Sequence, residues 1–188
     1  MYYIWCITNK YPNSYWLKYD RENSPNYLMF LGNDSVNLPN NSRAIFVLDE
    51  KVSLNSFLKY DYVMSDAVPL MSKRLASLIT NSKNDDVQLI AADVYYRGGI
   101  IGEYYIPIFL NIIDCIDKNK SIFNQMIGDY TSISFKPDSL GDKMIVKAKG
   151  LELWWPIVQE DIVKICYKNK VKGIDFYKEP YINPLYSI

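Results

Sequence analysis

Two long apolar runs, residues 87–96 and 104–113, dominate the alternation of hydrophobic and polar positions. They are joined across Arg97-Gly98-Gly99 and preceded by a polar break at 80–86. Before the break, Leu75, Leu78 and Ile79 recur at spacings of three and four, which predicts a short helix with one apolar face. Ser72 stands where the N-cap belongs, with a hydroxyl able to accept a free backbone N–H. The stretch reads as helix, strand, turn, strand. Run 104–113 is apolar at both parities, as in a central strand covered on both sides. Pro107 removes one ladder donor and predicts an edge position or a bulge at that point.

The remaining pattern is mostly short strands. Residues 2–8 are aromatic and β-branched and open the chain as a strand. Residues 15–19 predict a second short strand, and 27–31 an apolar segment ending at Gly32. Stretch 33–43 holds five Asn or Asp, two Ser and Pro39, a loop composition and the most flexible candidate joint. Strands are predicted at 44–48, 60–64, 130–135, 144–148 and 151–157, with a helical turn within 49–58. The last helix places Val158, Ile162, Ile165, Cys166 and Asn169 on one face. Glu160 and Asp161 in its first turn and Lys168 and Lys170 in its last complement the helix dipole. Gly173 ends it, 174–177 returns as a strand, and Pro180 and Pro184 make 178–188 an extended or irregular tail.

Strands outnumber helices and follow one another, which predicts an α+β fold with a mainly antiparallel sheet and a few packed helices. A length of 188 residues suits a single domain, 1–188, able to bury about 70% of the unfolded chain's surface. Within it, 1–59 forms an N-terminal part, 60–177 the core and 178–188 the tail.

Composition narrows the chemistry. Lys plus Arg equals Asp plus Glu, 21 each, which argues against a general nucleic-acid binder. There is no His, so the commonest general base and metal ligand is missing. Three cysteines, Cys6, Cys115 and Cys166, lie far apart without a Cys-x-x-Cys pair and read as small apolar residues kept reduced in a cytosol. The N-terminus lacks a basic signal-peptide region, and no run reaches the ~18 apolar residues of a membrane span. The expected protein is soluble and cytoplasmic, with no membrane partner. The 17 Tyr, 7 Phe and 4 Trp suit half-buried sheet faces and contact surfaces.

No catalytic constellation emerges. Ser72 and Lys73 are neighbours on a helix and do not face each other. Asp114 with Asp117, and the pair Asp85-Asp86, match no calcium loop and read as solvated loop acids. Glu103, Asp114, Glu152 and Asp175 lie nearest strands, but nothing places two of them together for glycoside hydrolysis. Residues 97–102 are glycine-rich without a phosphate-loop spacing, and a hairpin turn explains them. Trp154-Trp155 points one ring to each face of a strand. No catalytic, cofactor-binding or metal-binding residue is assigned.

Three blocks, residues 68–75, 104–117 and 160–176, carry a likeness: a Ser-capped helix, a strand bearing Asn111 and ending Asp114-x-x-Asp117, and a late helix running into Gly173-x-x-Phe176. In this order and spacing they resemble bacterial immunity proteins of polymorphic-toxin systems. The likeness covers roughly 60–177, and the first sixty residues add little. Gln159 stands where that family usually has a Ser cap. The resemblance implies a cytoplasmic, non-catalytic protein, without cofactor, that binds and neutralises a cognate toxin domain. Asn111, Asp114 and Asp117 match recurrent polar positions of the family and also suit strand-end caps or turns. Two other classes stay open, a small carboxylate-dependent hydrolase and a structural or scaffold protein of a phage or secretion apparatus. The sequence fixes no oligomeric state.

Overall fold

The computed structural model describes residues 1–32, 34–38, 42–82, 85–126, 128–151 and 155–182. The first half runs β1 (Tyr2–Ile7), β2 (Lys18–Tyr19), β3 (Ala44–Val47), the single turn α1 (Leu54–Phe57), β4 (Tyr62–Val63), β5 (Leu70–Ser72), α2 (Lys73–Thr80) and β6 (Val87–Tyr96). The second runs β7 (Gly99–Ile100), β8 (Tyr104–Phe109), β9 (Ile112–Ile113), β10 (Ile122–Asn124), β11 (Asp129–Ile133), β12 (Ile145–Ala148), β13 (Pro156–Gln159), α3 (Glu160–Lys168), β14 (Ile174–Lys178) and β15 (Tyr181–Ile182). One large sheet has the order β2-β3-β6-β8-β5-β4, with β7 paired to β6. A second has the order β14-β1-β13-β12-β9, and β10-β11-β15 form a small third.

The fold is a single α+β domain, but its sheets are mixed. β3 runs parallel to β6, and β9 parallel to β12. A parallel pair needs a long crossover, and here α1, β4, β5 and α2 intervene between β3 and β6. Such pairing leaves no local mark in the sequence, which is why succession of strands predicted antiparallel order.

The central hairpin forms as its pattern predicts. β6 and β8 pair antiparallel from Val87 opposite Phe109 to Ala92 opposite Tyr104. At the end of β6, Arg97 and Gly98 both take positive φ, 48° and 78°, as a two-residue hairpin turn requires. Pro107 lies inside the sheet, yet the ladder with β6 loses no donor. The Leu110 N–H donates to the Asp86 carbonyl (2.9 Å), so even-numbered residues of β8 face β6 and the Pro107 nitrogen faces away. On that other side β5 pairs only with Tyr104 and Tyr105. Pro107 thus occupies a local edge within an inner strand.

Other elements differ in detail. Residues 27–30 form a 3-10 turn, started by the Asn26 side chain accepting the Leu28 N–H. Val158 belongs to β13, opposite Tyr3 and Ile145, because α3 begins only at Glu160. The tail contributes β15, paired to β11, and residues 183–188 lie outside the described residues. Glu152 and Trp154 also lie outside them.

The two helices join the large sheets. Leu75, Ala76 and Ile79 of α2 and Ile162, Val163 and Cys166 of α3 share one core with Trp5, Met71 and Val158. Trp5 meets Tyr62 and Phe176 edge-on, at 5.3 and 5.7 Å. Its neighbours Ile4 and Cys6 point to the opposite face of β1 and join a different core with Ile133 and Tyr181. A further core lies on the larger sheet and gathers Tyr19, Phe46, Phe57 and Tyr104. β1 is therefore covered on both faces. Among the described residues no helix is long and apolar enough to cross a membrane.

Candidate functional site

The most elaborate polar junction centres on Asp61, just before β4. Its carboxylate accepts the Ser72 hydroxyl (3.0 Å), the Arg74 Nε (2.9 Å), a second Arg74 nitrogen, and the Lys172 backbone N–H (2.9 Å). Ser72 is the predicted cap: its Oγ also accepts the Leu75 N–H (3.3 Å). A further Arg74 nitrogen donates to the Asn169 carbonyl (2.7 Å). One acid therefore fastens the start of α2 to the loop between α3 and β14. An acid held by ionised donors on a buried site is strongly fixed in position.

That loop carries Gly173, whose φ is +99°. A Cβ there would sit 2.1 Å from the Tyr62 carbonyl oxygen. The backbone approaches so closely that only glycine fits. The Gly173 carbonyl in turn accepts the Thr8 N–H (3.0 Å), bringing the chain after β1 alongside.

These constraints shape an open groove of about 360 Å³. Tyr15 and Tyr60 form an aromatic wall, their rings edge-to-face at 5.7 Å. Tyr11 supports both rings and donates its hydroxyl to the Tyr15 carbonyl (2.9 Å). Lys10, Lys59 and Lys172 supply the charged groups of the lining, and all three are exposed.

The sequence-predicted polar positions fall elsewhere. Asn111 donates its side-chain amide to Asp86 (2.9 Å), and its carbonyl accepts the Lys147 N–H (2.8 Å). Asp86 also accepts the Met144 and Ile145 N–H groups, at 2.7 and 3.2 Å. The expectation of a solvated loop acid fails at Asp86, whose side chain is 6% exposed. It stands at the foot of β6, where the start of β12 turns two N–H groups towards it. Asp114 pairs at the surface with Lys136 (3.0 Å), which holds its carboxyl below the usual range. Asp117 accepts the Asn119 N–H (3.0 Å) and meets Lys120 (3.6 Å), organising a turn. The structure brings Asn111 to Asp86 and engages Asp114 and Asp117 separately.

The remaining chemical candidates are also engaged. Glu103 pairs with Lys73 (2.9 Å), and Asp175 accepts the Asn9 N–H (3.2 Å). All three cysteines are buried, and burial pushes their thiols up, Cys6 and Cys166 to about 12 and Cys115 to about 11. Only a thiolate attacks or ligates efficiently, so these thiols are inert at neutral pH. Among the described residues no group of three or more Cys, Asp or Glu could hold a metal ion.

Sequence reasoning passed over Asp61 and the groove. A signal existed for the first, since Asp61 sits between Tyr60 and Tyr62 in an otherwise apolar segment. The groove has no such signal, because its lysines, Lys10, Lys59 and Lys172, are scattered along the chain.

Comparison with known families matches the chain, over residues 8–179, to the model described as Immunity protein family (Imm11). The chain belongs to this immunity protein family. No curated protein matches it. The Imm11 match starts well before residue 60, so it takes in β2, β3 and the Tyr15 side of the groove. Gln159, the departure noted at the last helix, makes no capping bond. Its amide instead donates to the Gly141 and Lys143 carbonyls, at 3.1 and 2.8 Å. A turn is thereby tied to the start of α3.

Proposed function

We propose that this Imm11 protein protects a bacterial cytoplasm by binding a cognate toxin domain stoichiometrically, without chemistry of its own. Membership of the immunity protein family over residues 8–179 carries the reading. The character of the described residues supports it. The thiols are buried and protonated, and the acids Asp61, Asp86, Asp114 and Glu103 are each committed to their own donors. A standard interface would cover about 800 Å² of this chain, with aromatic anchors.

The test is co-expression. The C-terminal domain of the protein encoded immediately upstream is expressed in a bacterial host, with and without this chain. Restored growth and co-purification of the pair are expected. Persistent toxicity with no complex overturns the reading.

A further inference from the structure

We propose that the groove walled by Tyr15 and Tyr60 receives an acidic, Asp- or Glu-bearing segment of the toxin domain, held by Lys10, Lys59 and Lys172. This rests on the reading above and adds the surface and the chemistry of the partner.

The case begins with charge. The whole chain is neutral, with 21 basic and 21 acidic side chains, so a one-signed patch needs its acids to be elsewhere. The groove is such a patch, because its lining holds three lysines and no carboxylate. Some lysines elsewhere on the surface are compensated, Lys73 by Glu103, Lys136 by Asp114, Lys120 by Asp117, and Lys164 by Glu160 and Asp161, while others such as Lys51 and Lys149 stand singly; what marks the groove is three lysines converging on one concavity. Among the described residues, no ion pair or side-chain hydrogen bond engages the ammonium groups of Lys10, Lys59 or Lys172. The nearby acid Asp175 faces the Asn9 N–H. Uncompensated like charge around a concave surface focuses the field and draws in the opposite sign.

Shape agrees. The three lysines come from distant parts of the chain and are brought together by Gly173 against Tyr62 and by the Asp61–Arg74 junction. The tyrosines offer broad apolar faces at low entropic cost, a composition enriched at interfaces. Overall neutrality favours a protein segment over a nucleic acid, whose backbone calls for a basic excess across a wider face.

A rival surface exists for comparison. On the β10–β11 hairpin, Ile122, Phe123 and Met126 are 62%, 50% and 95% exposed. It provides the control.

The experiment measures binding of the purified upstream-encoded toxin domain by calorimetry. The proteins are the wild-type chain, the triple variant K10Q/K59Q/K172Q, and the hairpin variant F123S/M126S. Thermal melting checks that each is folded. The triple variant is expected to bind about tenfold more weakly or worse and with a flatter salt dependence, as loss of interfacial charge requires. The hairpin variant is expected to bind as the wild type does. A hexaglutamate peptide should compete for the wild-type chain, and inorganic phosphate at equal ionic strength should not. Triple-variant binding within about twofold of wild type overturns the groove assignment and leaves the immunity reading standing. Equal competition by phosphate also overturns it, in favour of a free-anion site. No binding by the wild-type chain overturns both.

Discussion

Asp61 and Arg74 form a two-point ion pair in which the Asp61 side chain is 6% exposed and the Arg74 side chain 51%. The acid pays the desolvation and the base keeps one side in water. Two further donors, the Ser72 hydroxyl and the Lys172 N–H, complete the acid's shell. Removing one partner of a buried pair leaves an uncompensated charge, a larger loss than the pair's net worth. Because Arg74 is half exposed, the cost falls below that of a fully buried pair. Asp61→Ala and Arg74→Ala should each cost about 2–4 kcal/mol by urea denaturation. The double variant should cost less than the sum, since both changes remove the two Asp61–Arg74 bonds. Additive losses would show that the two side chains act independently.

Gly173 and Gly98 separate two reasons for a glycine. At Gly98 the φ of +78° is strained for other residues but nothing lies within 4 Å of a new Cβ. Gly98→Ala should therefore cost only about 1 kcal/mol. At Gly173 the same substitution also drives a Cβ into the Tyr62 carbonyl. Gly173→Ala should cost more than about 3 kcal/mol, or prevent accumulation of folded protein. Equal melting temperatures for the two variants would contradict the close approach.

Lys147 gives a pH signature. Its ammonium is buried, donates to the Leu31 and Gly32 carbonyls (3.0 and 2.8 Å), and desolvation lowers its pKa. With the folded pKa below the unfolded value of about 10.4, the unfolded chain binds more protons in the window between them. Stability from this group therefore rises with pH through that window. The comparison is wild type against Lys147→Met, which cancels titration common to both. The wild type should gain on the variant in denaturation midpoints as pH rises towards the unfolded value of about 10.4. A constant or falling difference would contradict the depressed pKa.

The thiols give a kinetic signature. At pH 8 the native protein should leave a thiol-reactive dye untouched over minutes, and full labelling of three cysteines should follow in urea. Linkage runs opposite to that of Lys147. The folded thiols titrate above the unfolded value of about 8.5, so their contribution to stability falls as pH rises past it. Rapid native labelling would contradict their burial.

Local signals were legible and long-range ones were not. The Ser72 cap, the hairpin turn at Arg97-Gly98 and the body of α3 follow from spacing and turn chemistry that act over a few residues. The parallel pairing of β3 with β6 depends on a crossover and leaves no such trace. Val158 was misplaced because an apolar residue at helical spacing also suits the strand just before the helix. Asp61 and Asp86 were hidden for a related reason: an acid beside a turn looks solvated until the donors that surround it, from residues 72, 74 and 172 or from 111, 144 and 145, come together in space. The three lysines of the groove were legible only as ordinary surface charge. The resemblance to immunity proteins rested on structural landmarks such as Gly173, whose requirement the fold explains.

The central claim, protection by binding alone, is tested most directly by stoichiometry. The toxin domain's activity is titrated with the purified Imm11 chain at toxin concentrations well above the dissociation constant. Stoichiometric binding predicts a linear fall that ends at a fixed ratio of immunity chain to toxin, with a complex of the same ratio on sizing. Full protection at a small fraction of that ratio, increasing with incubation time, would contradict the account and point to catalysis.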